Sequence, residues 1–365
     1  MTAHSQIPCM LMRAGTSRGP FFLASDLPAD EAHRNRVLVA AIGSADASQI
    51  NGLGGGTSLT SKVAIVSKST QPDCDVDYLF AQVSVDEARI DTRPNCGNML
   101  AGVGPFAIER GLIEAQAGTT RVRIFNVNTQ SRVHALISTP NGGVTYAGDT
   151  YIDGVAEPAA AVHLTFLDAL GAVTGKVFPT GNRIDVIQGT PVTLIDAAMA
   201  MMLVRASDLP DFGLTGTESA AQLDAKPGLI ARLESLRLQA GLMMGLGDVS
   251  DSVMPKPVIV ACTGEPNSVY SRYFTPKKCH IAHAVTGAIG IATARLMSGT
   301  VASYAQADAT LRVVNVKVLH PSGCIDIAAL AQADAWGVTV SQASVVRTVR
   351  KIMDGALYVS GGDAS

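Results

Sequence analysis

Phe22-Leu-Ala-Ser-Asp-Leu-Pro28 returns in the second half of the chain as Val204-Arg-Ala-Ser-Asp-Leu-Pro210. Downstream, Arg123-Ile-Phe-Asn-Val-Asn-Thr129 returns as Arg312-Val-Val-Asn-Val-Lys-Val318. Between the members of each set lies one small-residue apolar helix pattern, over residues 96–110 in the first half and 282–297 in the second. Strand, helix and strand are thus used twice in the same order. This predicts an α+β fold of two similar halves, each a curved β-sheet or barrel around a central helix. The expected halves are residues 1–181 and 182–365, with residues 156–182 as the crossover.

Short alternating or β-branched runs at 9–12, 21–23, 62–67, 77–84, 120–128 and 133–138 are separated by Gly, Pro, Asn and Asp, the pattern of strands joined by turns. The first apolar helix is expected to end at Gly111 and the second at Gly299. Residues 224–241 read as a third helix, amphipathic and exposed.

With 365 residues, 47% hydrophobic and 16% charged, the chain can bury two ordinary cores and is not a disordered polymer. A net charge of -3 without a Lys/Arg cluster gives no footprint for nucleic acid. No apolar run is long enough for a bilayer, and Met1-Thr-Ala-His-Ser-Gln-Ile-Pro8 lacks the pattern of a secretory leader. The six cysteines, Cys9, Cys74, Cys96, Cys262, Cys279 and Cys324, are scattered without a C-x-x-C pair. Reduced thiols in a cytoplasm are the expectation.

Chemistry concentrates in Asp91-Thr-Arg-Pro-Asn-Cys96-Gly97-Asn98-Met-Leu100. Asn95 is a good N-cap type, which places Cys96 in the first helical turn, where orphan N–H groups and the helix dipole favour a thiolate. Upstream, Gly54-Gly55-Gly56-Thr57-Ser58-Leu-Thr-Ser-Lys62 is a glycine-rich turn running into one lysine. Lys62 is either a solvated strand end or, in a closed cleft, a desolvated base. Met12-Arg-Ala-Gly-Thr-Ser17-Arg-Gly19 is an ordinary hairpin or a carboxylate loop with Ser17 as donor. His320-Pro-Ser322-Gly323 is a further turn with donors. Cys279-His280-Ile-Ala-His283 has no further ligands at zinc spacing, so no metal is expected. The P-loop, the G-x-S-x-G elbow and the dinucleotide fingerprint are absent.

The strings Met12–Gly19, Leu59-Thr-Ser-Lys-Val-Ala-Ile-Val66, Asn95-Cys-Gly-Asn-Met-Leu-Ala-Gly-Val-Gly-Pro-Phe-Ala-Ile-Glu-Arg-Gly111 and His320–Gly323 resemble the PrpF family. The resemblance runs over almost the whole chain. It implies a diaminopimelate epimerase-like fold, no organic cofactor, and Lys62 and Cys96 as the catalytic pair. It further implies that the last segment, about 345–365, packs back on the first half. Anchoring on Thr286-Gly287-Ala288 puts Ala284 where an epimerase of this fold would carry a second cysteine.

The activity expected is a cofactor-free isomerase or tautomerase acting on an unsaturated di- or tricarboxylate, most like a 4-oxalomesaconate tautomerase. The 2-methylaconitate and aconitate isomerases are alternatives. Lys62 would remove a proton and Cys96 deliver one, or the reverse. Gly55, Gly56, Thr57, Ser58, Gly97, Asn98, Thr286, Gly287 and Ser322 would join Ser17 in binding the substrate. An amino-acid epimerase and a non-catalytic carboxylate-binding protein are the rival readings. A small carboxylate is the expected partner, and a homodimer is left open.

Overall fold

The computed structural model describes residues 4–275, 277–303, 312–334 and 337–360, and in it the chain divides into two units. One comprises the residues up to Leu164 together with those from Val346 onward; the other is Thr165–Val345. The division precedes the expected boundary after residue 181 because the intervening segment is tied to Asp196. The Gly171 N–H donates to the Asp196 carbonyl, and the Val173 and Thr174 N–H groups donate to its carboxylate.

The first unit contains β1 (His4–Ala14), β2 (Ser17–Leu23), α1 (Glu31–Ile42), β3 (Lys62–Lys68), β4 (Val76–Val83), β5 (Ile90–Asp91), α2 (Gly97–Leu100), α3 (Val103–Glu109), β6 (Gly118–Asn126) and β7 (Ser131–Thr139), and the chain leaves it along β8 (Ala161–Phe166). The second contains β9 (Asp185–Ile187), β10 (Thr190–Asp196), β11 (Ala200–Arg205), α4 (Ala220–Asp224), α5 (Leu229–Met243), β12 (Lys256–Cys262), β13 (Ser268–Thr275), β14 (Lys278–Cys279), α6 (Val285–Leu296), β15 (Arg312–His320) and β16 (Gly323–Asp334). The last strand, β17 (Gly337–Ser360), pairs first with β16 and then, antiparallel, with β1 from Ala14↔Val349 to His4↔Ser360.

The repeat is a repeat of topology. In the first unit β1–β2 is antiparallel, β2–β3 parallel, β3–β4 and β4–β5 antiparallel, β4–β6 parallel and β6–β7 antiparallel. Strands β10 to β16 follow the same order and senses. Both Ala-Ser-Asp strings form a 3-10 turn after the second strand. Phe22 faces Ile65 and Val204 faces Ile259, so the register puts Lys256 at the counterpart of Lys62, each opening its strand.

In each unit the sheet surrounds a central helix. Helix α2 packs on β1, β2 and β3, and α3 on β3, β6 and β7. In the second unit α6 packs on β10, β13, β15 and β16. Every residue of α6 from Val285 to Arg295 is buried, and Ile289 and Ile291 each contribute about 1.5–3 kcal/mol by leaving water. Its glycines make the fit possible: a Cβ at Gly290 would stand 2.2 Å from Met201 Cε.

Several elements differ from the sequence reading. The first central helix is interrupted between α2 and α3, because Pro105 has no N–H for the Ala101 carbonyl and its ring crowds that carbonyl. The expected third helix, 224–241, begins only at Leu229 as α5, because Pro227 and Gly228, the latter at φ 76°, separate it from α4, which ends at Asp224. It is not an exposed helix: Leu229, Leu233, Leu236, Arg237 and Ala240 are buried, the leucines in the core with β10–β12 residues. Helix α1 lies where the sequence reading places no element, its polar residues hiding the apolar face. Asp30 accepts from the His33 N–H at 2.7 Å, and Gly43 closes the helix in the left-handed region. Its Leu38, Ala41 and Ile42 cover the outer face of the sheet with Phe22, Val63, Ile65, Ala81 and Val83.

Candidate active site

Because Val63 and Ala81 face α1, the alternation of a strand turns Lys62, Tyr78, Phe80 and Gln82 to the opposite, inward face. Lys62 is half-buried at the start of β3, directly across from Gln82. Its Nζ donates to Gln82 Oε1 at 2.6 Å and lies 5.1 Å from the centre of the Phe80 ring. The amine is thus held between a carbonyl oxygen and an aromatic face.

Cys96 sits against the same face of β4. It is the N-cap of α2, with φ -136° and ψ 99°, one position before the first-turn place expected of it. Asn95 is not the cap; its Oδ1 is buried and has no hydrogen-bond partner among the described residues. The Tyr78 hydroxyl donates to the Cys96 carbonyl at 3.2 Å. Burial pushes the Tyr78 phenol well above its ordinary range, so it remains a donor. The first N–H groups of α2 find no acceptor within the helix.

Strand β2 closes the other side. Phe21 meets Phe106 of α3 with ring centres 5.7 Å apart, so Ser17, Gly19 and Phe21 share the inward face. Ser17 is 2% exposed, and its hydroxyl has no partner among the described residues. The Asn98 side chain is occupied by the hairpin turn: it accepts from the Thr16 N–H at 3.4 Å and donates to Thr16 Oγ1 at 3.2 Å. Gly15 must be glycine there, since its φ is +53° and a Cβ would lie 2.0 Å from Asn98 Oδ1. Gly97 is buried beside Asn98 in α2.

The glycine-rich turn is built differently from an open anion cradle. The Gly56 N–H donates to Gln49 Oε1 at 2.9 Å, and buried Gln49 also donates to Ser61 Oγ at 2.8 Å. Thr57 accepts from Thr60 and from Ser61, and Gly55 lies beside the Arg18 guanidinium. Arg18 donates to the Gly54 carbonyl at 3.2 Å, so it serves the loop rather than the Lys62 face. Ser58 reaches that face through its carbonyl, which accepts from Gln82 Nε2 at 3.3 Å.

The remaining candidates belong to the second unit. Thr286 is buried in the first turn of α6, with its hydroxyl lacking a partner among the described residues. A Cβ at Gly287 would lie 2.5 Å from Tyr273 Cε2, so the glycine admits that ring against the helix. Ser322 is exposed, and its hydroxyl donates to the Ile281 carbonyl, tying two turns together. Ala284 is the N-cap of α6, the counterpart of Cys96.

Lys62 and Ser17 thus share the inward face of the sheet, the Cys96 carbonyl meets Tyr78 of that face, and the Asn98 side chain is turned to the hairpin beside Thr16. Tyr78, Phe80, Gln82, Gln49 and Asn95 were missed as site residues. The only sequence signal for three of them was the alternation Tyr78, Phe80, Gln82 along one strand. Chemically the surface offers an amine and a thiol, able to exchange protons with a bound molecule, and buried polar atoms able to orient it. Among the described residues no helix is long and apolar enough to cross a membrane.

A family model described as PrpF protein matches residues 4–360. An Escherichia coli (strain K12) protein named "Putative isomerase YbhH" is 51% identical over 354 residues, covering 97% of this chain and 99% of that one. A 4-oxalomesaconate tautomerase of Pseudomonas putida is 47% identical, covering 97% of this chain and 96% of that protein. The crystal structure of a methylitaconate-delta-isomerase is 35% identical with a TM-score of 0.78, covering 99% of this chain and 98% of that one.

Proposed function

The chain belongs to the PrpF family, and from that premise we propose a cofactor-free isomerase that shifts a proton within an unsaturated di- or tricarboxylate, of the 4-oxalomesaconate type. The observation that supports the reading is that Lys62 rests on Gln82 and Phe80 of the inward face of β4, while Cys96 meets Tyr78 of the same face through its carbonyl. A lysine amine and a cysteine thiol are together sufficient for acid–base transfer between two carbons.

In this mechanism the neutral Lys62 amine takes a proton from the carbon next to a carbonyl or alkene. The electron pair left behind delocalises into a dienolate. The N–H groups of Gly97 and Met99 at the start of α2, and the Ser17 hydroxyl, stabilise the oxyanion as it forms. The Cys96 thiol returns a proton to the far carbon, which moves the double bond. Lys62 then holds an ammonium and Cys96 a thiolate, and transfer through solvent restores both. The roles can run in reverse for the opposite direction. Acid–base assistance of this kind is worth about 10²–10⁴ in rate. The absence of any disulfide among the six cysteines fits a reducing cytoplasm.

The test is proton NMR of the purified protein in D₂O with 4-oxalomesaconate, 2-methylaconitate and aconitate. Double-bond migration with deuterium uptake in one acid supports the reading and names the substrate. Absence of exchange in all three refutes it for these acids. Ligand-induced thermal stabilisation without chemical change would favour a carboxylate-binding protein instead.

A further inference from the structure

We propose that Gln82 is the positioning residue of Lys62, a carbonyl oxygen held rigidly at the amine so that it points at the reacting carbon. The proposal rests on the reading of Lys62 as the proton-transfer lysine.

Lys62 and Gln82 are directly opposed across β3 and β4, so their side chains leave the sheet side by side. The amide is fixed at both ends. Its oxygen accepts from Lys62 Nζ at 2.6 Å. Its nitrogen donates to the Ser61 carbonyl at 2.9 Å and faces the Ser58 and Val83 carbonyls at 3.3 Å each. A flipped amide would set its oxygen against three carbonyl oxygens. The neighbours therefore dictate the orientation, and the oxygen must face Lys62.

Phe80, two residues back on β4, supplies the second constraint. Its ring lies 5.1 Å from Nζ, on the same face. One N–H of the lysine is spent on Gln82 and one side is covered by the ring, which leaves the rest of the amine for a substrate. A lysine side chain has many rotamers, and fixing them beforehand removes that entropy from the chemical step. The choice of an amide is also informative. A carboxylate at the same distance would pair with the ammonium and oppose release of its proton, whereas glutamine holds the same geometry with no net charge. Through Ser58 and Ser61 the same amide is anchored to the loop preceding β3, so the loop and the lysine are set by one group.

The experiment compares Gln82→Leu and Gln82→Glu with the unaltered protein. Each is measured for kcat and KM by NMR and for the rate at which Lys62 is modified by a small amine-directed reagent, read by mass spectrometry. Circular dichroism melts check folding. Gln82→Leu is expected to lose about 10–100-fold in kcat with little change in KM, as about 1 Å of misplacement does, and its Lys62 should be modified several-fold faster. Gln82→Glu keeps the reach to Lys62 but sets an oxygen, in place of the amide N–H₂, against the Ser58, Ser61 and Val83 carbonyls, so its fold is checked by the same melts. Its kcat should also fall, with Lys62 still protected from modification. Unchanged modification of Lys62 in Gln82→Leu overturns the proposal, whatever happens to turnover. If that variant fails to fold, wild-type kcat in Gln82→Glu overturns it. Faster modification with unchanged turnover upholds the positioning and instead removes Lys62 from the mechanism.

Discussion

Gly19 offers a steric test of how the site is assembled. It lies on the inward face of β2, and a Cβ added there would stand 1.9 Å from the Lys62 carbonyl oxygen, 2.8 Å from its carbon and 3.2 Å from Met99 Cε. Carbon-to-oxygen contacts between neighbouring strands settle near about 3.3 Å, so Gly19→Ala must open about 1.4 Å between β2 and the start of β3. The obstacle is backbone, and no rotamer change relieves it. The adjoining parallel pairs Phe21↔Ala64 and Phe22↔Ile65 resist the opening. Overpacking of this kind costs about 1–3 kcal/mol. With an obstacle that cannot turn aside the upper end is expected, a melting temperature lower by about 6–12 °C for a unit of this size. Because the displaced carbonyl is that of Lys62 itself, turnover should fall about 10²-fold. Gly143→Ala is the control, since nothing lies within 4 Å of the added Cβ, and it should change stability by less than about 0.5 kcal/mol. Melts followed by circular dichroism and the NMR turnover assay read both effects. If Gly19→Ala melts and turns over like Gly143→Ala, the close approach of β2 to Lys62 is refuted.

Substituting Lys62→Met should remove about 10²–10⁴ of the rate with an unchanged melt; near-normal turnover would sink its assignment. At Asp75, burial pushes the carboxyl up, but the bonds from the Arg123 side chain and N–H outweigh it and leave the group below its ordinary value. A depressed folded value means this stabilisation is full above the unfolded value of about 3.9 and is lost as pH falls through the lower folded one. Asp75→Asn should therefore lower the melting temperature at pH 7 and shrink the drop between pH 7 and pH 3; an undiminished drop counts against the pairing. Arg237 is 1% exposed and donates to Glu234 and to the Val249, Ser252 and Met254 carbonyls. Arg237→Met strands these groups and should cost about 3–5 kcal/mol in urea unfolding; a loss below about 1 kcal/mol would show that the acceptors find other donors.

The sequence by itself determined the duplicated order of elements and the main strands of the first half, and it singled out the two residues at the centre of the proposed chemistry. The reason is local: alternation and small-residue runs record which face of an element is apolar, and a cysteine at a helix start declares itself within a few residues. Even a finer feature, the break between α2 and α3, was written in Pro105. Only the tertiary structure decided that the Gly56 N–H is consumed by Gln49, that the Asn98 side chain belongs to the hairpin, and that Ser322 bridges two turns. It alone gave Lys62 its partner in Gln82 and showed why Gly19 is a glycine. These are pairings between residues far apart in the chain. A hydrogen bond has no periodicity, so its partner is fixed only when strand register brings two side chains to the same face at the same height. The return of β17 to β1 has the same origin, because an edge strand records in its sequence that it must be paired, not with what.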